Sequence, residues 1–195
     1  MDTNGSGQTR IANRSVKRNP FGPAISSDSH WVFFTDDQNV NVKADIDGTS
    51  TVSVFDSSAE ATLATLAPNL HDIRPLSDGA SVTGHYMDPD VKGERLVVIP
   101  LADPSKTRRF PKVANNALEA ADGRSLIYTT SVRGVGNVWR QSLAGGDPTQ
   151  LTHFDSDAVF YHTLSADKQH VAIVRGSTIS DVILIADKAA DATQH

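Results

Sequence analysis

The sequence predicts an all-β protein, a β-propeller of four-stranded antiparallel blades. Three observations predict it: an acidic turn that recurs every forty-odd residues, apolar alternation of period two after each recurrence, and glycine, aspartate or proline turns between the alternating runs. The acidic turns centre on Asp28, Asp78, Asp122 and Asp167, which are 50, 44 and 45 residues apart. Four residues past each marker stand Val32, Val82, Leu126 and Val171, and two further on stand Phe34, Gly84, Tyr128 and Ile173. Phase is therefore kept along with period, and period two is the signature of a strand.

Each unit continues with a second strand, a tight turn and a third strand. In the third unit these are Asn137–Leu143, Ala144–Pro148 and Thr149–Thr152. Gly145 and Gly146 can take positive φ without a Cβ clash, and Pro148 fixes φ near −65° before the return strand. Ile46-Asp47-Gly48-Thr49 serves as the turn in the first unit and Leu101-Ala102-Asp103-Pro104 in the second. A short strand precedes each marker, around Ala24-Ile25, His71–Arg74, Asn116–Leu118 and Val159–Leu164. Four strands per forty-odd residues is the arithmetic of a propeller blade, and a lone blade cannot cover both its faces, so blades must stack.

The expected blades are residues 20–56, 70–111, 115–153 and 158–187, followed by a flexible tail, 188–195. The last unit supplies three strands, which leaves two readings of 1–187: a strand at 7–12 completes the last blade and closes a four-bladed ring, or, the favoured reading, the chain is a stretch of a longer array. Between the first two units, Ser58–Leu66, stopped by Pro68, reads as an extended or singly wound insertion.

Composition narrows the chemistry. Of 195 residues none is cysteine, which removes disulfides, thiol nucleophiles and cysteine-bound metals. With 18 Lys plus Arg against 23 Asp plus Glu the net charge is −5, which argues against nucleic acid as a partner. The longest apolar runs, such as Leu96–Ala102 and Val182–Ala186, fall far short of the roughly 20 residues that cross a bilayer, so no membrane insertion is expected. No secretory signal is visible at the N-terminus, leaving the cytoplasm as the default address.

The third and fourth units resemble TolB-like (WD40-like, PD40) β-propeller repeats, on Ala121–Tyr128, Asn137–Arg140, Gly145–Thr152 and Ser180–Ile185. Within that group the chain is similar to the C-terminal propellers of bacterial serine/threonine kinases and winged-helix regulators. Those usually carry six or more blades, which implies that this chain is part of a larger ring. The resemblance implies protein or peptide binding or sensing in a larger bacterial regulator. Its alternatives are an accessory propeller of a peptidase-like or sugar-active hydrolase, or a freestanding four-bladed ligand-binding ring. Ser29 and Lys168 stand where the repeats have a turn glycine, and Glu119 where an apolar residue is usual.

No nucleophile elbow, kinase catalytic loop or phosphate loop is present, so no catalytic residue is assigned. Ser165, His162 and Asp167 crowd one strand-turn without an oxyanion-hole signature. The loop Asp88–Glu94 offers oxygen ligands, but Lys92 puts a cation where a calcium loop wants its third ligand. The seven histidines lack the local spacing of a zinc pair, so neither metal nor cofactor is expected. The four marker aspartates suit Asx-turns, Trp31 and Trp139 suit blade-to-blade packing, and Lys106, Arg108 and Arg109 suit a solvated edge strand. A ligand of the ring would meet the innermost strands, which makes Arg74, Glu119 and His162 the candidate binding residues of the axial channel.

Overall fold

The computed structural model describes residues 6, 8, 10–13, 22–90, 93–113 and 116–178. Blade 1 holds β1 (Ala24–Ile25), β2 (Trp31–Thr35), β3 (Asn41–Asp45) and β4 (Thr51–Ser53). Blade 2 holds β5 (His71–Pro75), β6 (Ser81–Met87), β7 (Glu94–Pro100) and β8 (Arg108–Phe110). Blade 3 holds β9 (Leu118–Glu119), β10 (Ser125–Val132), β11 (Val135–Ser142) and β12 (Thr149–Gln150), and blade 4 contributes β13 (Ala158–Leu164) and β14 (Val171–Gly176). Blades 1 to 3 are four-stranded antiparallel sheets whose spatial order follows the chain. The third strand expected of blade 4, at 182–185, lies outside the described residues.

The four marker turns share one geometry. Asp28, Asp78, Asp122 and Asp167 each accept, through Oδ1, the backbone N–H two residues on, at 2.9–3.1 Å. The residue after each marker is left-handed: Ser29, Gly79, Gly123 and Lys168 have φ between 56° and 64°. Ser29 and Lys168 thus keep the conformation of the glycine they replace, against a Cβ penalty that glycine escapes.

Packing follows from alternation. Along β7, Leu96, Val97, Val98 and Ile99 are all at most 1% exposed. Val97 and Ile99 join Phe33 and Phe55 of the blade 1 side, while Leu96 and Val98 join Leu126 and Tyr128 of blade 3. Consecutive residues of one strand thereby fill two different inter-blade cores. In β10 the next residue, Ile127, turns the other way and packs with Val138 against Ile173 of blade 4. Where blades 3 and 4 meet, the Gly136 N–H donates to Asp157 O at 2.9 Å, and a Cβ on Gly136 would collide with the backbone nitrogen of Val159.

Blade 1 covers its outer face differently. Val32, Phe34, Val42 and Ala44 pack against Ile11 and Ala12, which lie in no strand. The segment thus rests on the first blade; its expected pairing partner in the last blade lies outside the described residues. On blade 4, Tyr161 and its cross-strand partner Val174 are 63% and 55% exposed.

The insertion before blade 2 corrects the sequence reading. It forms a ten-residue helix, α1 (Ser57–Leu66), where an extended or single-turn segment is expected. Asp56 caps it by accepting from Ser58 N and Ala59 N, and Leu63 and Ala67 are buried in the core between blades 1 and 2. Arg109 of β8 closes the far end, its Nε donating to Leu66 O at 2.7 Å and its Nη2 to Thr65 O at 3.3 Å. An arginine here satisfies orphan carbonyls at the negative end of the helix dipole, a role the solvated-edge reading misses. Among the described residues no helix is long and apolar enough to cross a membrane.

Two substitutions test this packing in opposite directions. Leu96→Ala, which empties part of the core between blades 2 and 3, should lower the free energy of unfolding by about 2–5 kcal/mol in urea titration. Ser29→Gly, which relieves a left-handed serine in an exposed turn, should raise it by up to about 1 kcal/mol; a loss there would contradict the turn geometry.

Candidate functional site: the axial cavity and the inner strands of blade 2

The innermost strands border an open cavity of about 560 Å³ lined by residues of all four blades, among them Ile25, Arg74, Glu119 and Leu164. Its polar wall comes from three blades at once. Glu119 Oε1 accepts from Ser77 N at 3.0 Å and Ser77 Oγ at 2.7 Å, while its Oε2 accepts from Lys168 Nζ at 2.9 Å. One carboxylate on β9 therefore ties the marker turns of blades 2 and 4 together. That explains a charged residue where the repeat pattern has an apolar one.

Arg74 points its Nη2 at Asp72 Oδ1, 3.8 Å away, and Asp72 Oδ2 lies 3.2 Å from His85 Nδ1. Asp72 is buried, with φ of 57°, at a register shift between His71 and Arg74 where β5 meets β6. Such a bulge re-aims side chains, and left-handed backbone is tolerated best by aspartate and asparagine outside glycine. The Asp72 N–H donates to Thr35 Oγ1 of blade 1 at 3.3 Å. Further along, His71 Nδ1 lies 2.7 Å from Asn69 O, and His71 Nε2 lies 3.2 Å from Glu94 Oε1. His71 and Glu94 border a second cavity of about 590 Å³, walled also by Phe55 and Leu63.

The candidate residues named from sequence divide. Arg74 and Glu119 line the axial cavity, whereas His162 is 4% exposed and faces Thr129 Oγ1 of blade 3 at 3.4 Å. Thr163 and Leu164 of the same strand reach the cavity instead. Nor is His162 engaged with Ser165, whose Oγ donates to Asp167 Oδ1 and accepts from His170 N. In the loop after β6, Asp88 is held by Asp90 N and the Tyr86 hydroxyl, both at 2.9 Å. Burial and that bond to Asp88 push the Tyr86 hydroxyl up to about 12, and the same bonds hold Asp88 below the usual carboxylate range. Trp31 and Trp139 pack, partly buried, against the cores between blades 1 and 2 and between blades 2 and 3.

The grouping of His71, His85 and Glu94 is invisible to local spacing. His71 and His85 are direct cross-strand partners, and Glu94 lies two residues before Leu96, which pairs with His85. Only the sheet register brings residues 14 and 9 positions apart in sequence together. The available signal was the alignment of β5, β6 and β7 itself.

No family model and no curated protein sequence matches the chain. Solved structures do. TolB from Acinetobacter baumannii superposes with a TM-score of 0.57 at 18% identity, over 82% of this chain and 38% of that one. The nidogen/laminin complex contains a chain matching with a TM-score of 0.54 at 15% identity, over 79% of this chain and 56% of that one. The class of protein this defines is a β-propeller, of which the chain spans about two fifths of the TolB length.

Burial of His162 has a consequence for pH. Desolvation holds its pKa below the ordinary 6.5, so as pH falls past that value the unfolded chain takes up a proton before the folded one does. Stability should therefore drop on acidification below about pH 6.5, down to the lowered folded value. In urea titrations between about pH 7.5 and 5.5, His162→Asn should show a shallower pH slope than the unmodified chain. Equal slopes would contradict the burial of His162.

Proposed function

We propose that the chain is a non-catalytic propeller module that binds a protein or peptide at the axial cavity and its rim, as part of a larger bacterial regulatory protein. The observation that carries this is the cavity itself: inner strands from four blades border it, and an arginine and a glutamate on rigid strands give its wall both signs of charge. Stacked blades displaying loops around a polar opening suit extended ligands with charged side chains, and among the described residues of the wall no nucleophile is paired with a base. The likeness to TolB and to a chain of the nidogen/laminin complex supports a binding module, the latter chain being part of a protein–protein complex.

Peptides selected by display on the purified chain test this reading. Arg74→Ala or Glu119→Gln should weaken the selected peptides about tenfold or more, while Arg133→Ala, in an exposed hairpin turn, should leave them unchanged. Failure to select any peptide, or peptides indifferent to both cavity substitutions, would overturn it.

A further inference from the structure

We propose that His71, His85 and Glu94 form a binding site for one divalent metal ion of the zinc class, with Asp72 as its positioning residue. Each residue offers a ligand atom, and the three atoms lie within 4.8 Å of one another. Two imidazoles and a carboxylate are a donor set that zinc takes in sites keeping a fourth position open. Tetrahedral coordination at about 2.0–2.1 Å requires ligand atoms roughly 3.3–3.5 Å apart. The His71–Glu94 separation of 3.2 Å is already close to that, and the His85 ligand atom lies within 4.8 Å of both.

Hydrogen bonding around the cluster directs lone pairs toward it. Asn69 O can only accept, so the His71 nitrogen 2.7 Å away, Nδ1, carries the proton. In the neutral ring Nε2 then turns a lone pair toward the Glu94 carboxylate, an arrangement of two acceptors that a cation reconciles. His85 is held differently: its Nδ1 lies 3.2 Å from Asp72 Oδ2 without the alignment of a hydrogen bond, so the buried Asp72 carboxylate acts on the ring as a neighbouring charge, as carboxylates beside metal-ligating imidazoles do.

Asp72 is itself fixed by its N–H to Thr35 Oγ1, by the nearby Arg74 guanidinium and by the bulge that turns it inward. The ligands stand on three adjacent strands of one sheet, and His71 and Glu94 are 24% and 33% exposed at the cavity beside α1. A metal held there would keep a face open to water or to a donor atom from a ligand in that cavity.

The metal-free 195-residue chain titrated with ZnCl₂ by calorimetry, and with CoCl₂ by visible absorption, tests the site. One equivalent per chain is expected, with the strong visible bands of low-coordinate Co²⁺. Glu94→Gln and His71→Gln, at partly exposed positions that the core does not need, should each weaken zinc at least tenfold while melting like the unmodified chain without metal. Asp72→Asn should weaken zinc about 10–100-fold with the saturated Co²⁺ spectrum retained. His170→Gln, whose side chain is 82% exposed in a distant turn, should bind as the unmodified chain does. Absence of saturable uptake, or Glu94→Gln and His71→Gln both binding zinc as tightly as the unmodified chain, would overturn the assignment.

Discussion

Everything in this fold depends on strands that are apolar on both faces and therefore need a neighbour on each side. In β7, four successive residues between Leu96 and Ile99 are sealed from solvent, two toward blade 1 and two toward blade 3. Burying a side chain of that size contributes roughly 1.5–3 kcal/mol, and no single blade can provide the cover. Stability is consequently a property of the interfaces, as in other repeat architectures. The same rule explains what happens at the ends of the series. Ile11 and Ala12 lie over the outer face of blade 1, while the far face of blade 4 leaves Tyr161 and Val174 in contact with water.

Polar groups do a separate job, fixing how the blades are aimed. Four Asx-turns of one geometry set each inner hairpin, and Glu119 then joins two of those turns across the axis side of blade 3. An ion pair of this kind, partly buried and with its second oxygen satisfied by a serine N–H and hydroxyl, specifies geometry more than it stabilises. Asp72 plays the equivalent part inside blade 2, where one left-handed residue at a bulge connects Arg74 of the axial cavity to His85 of the histidine cluster. The two candidate binding regions of the molecule are thus linked through a single buried carboxylate.

Repetition made the blades legible from sequence. Asp28, Asp78, Asp122 and Asp167 mark hairpins at equivalent places, and strands of blades 1 to 3 fall where the alternation puts them, because each strand's side-chain period is local information. The position of Arg74 and Glu119 at the cavity was legible for the same reason, since innermost strands face the axis. Interactions between distant segments were not. His162 sits on an inner strand yet turns into the blade 3–4 core, because the irregular register around Phe160 changes which side chains reach the cavity. Helix α1 is read from sequence as extended or a single turn: its small residues and threonines with only Leu63 and Leu66 as large apolar side chains carry a weak amphipathic signal, and its stability comes from Asp56, Arg109 and burial of Leu63. The His71–His85–Glu94 grouping exists only once three strands are in register.

Native-state hydrogen exchange on the full chain, with and without Leu126→Ala, measures most directly whether blades are stabilised by each other. Leu126 belongs to blade 3 but packs into the core it shares with Leu96 and Val98. Interface-borne stability predicts that the substitution lowers protection of β6 and β7 amides in blade 2 as much as it lowers that of β10 and β11. Loss of protection confined to blade 3, with blade 2 exchanging as before, would show blades that stand alone and would contradict this view of the fold.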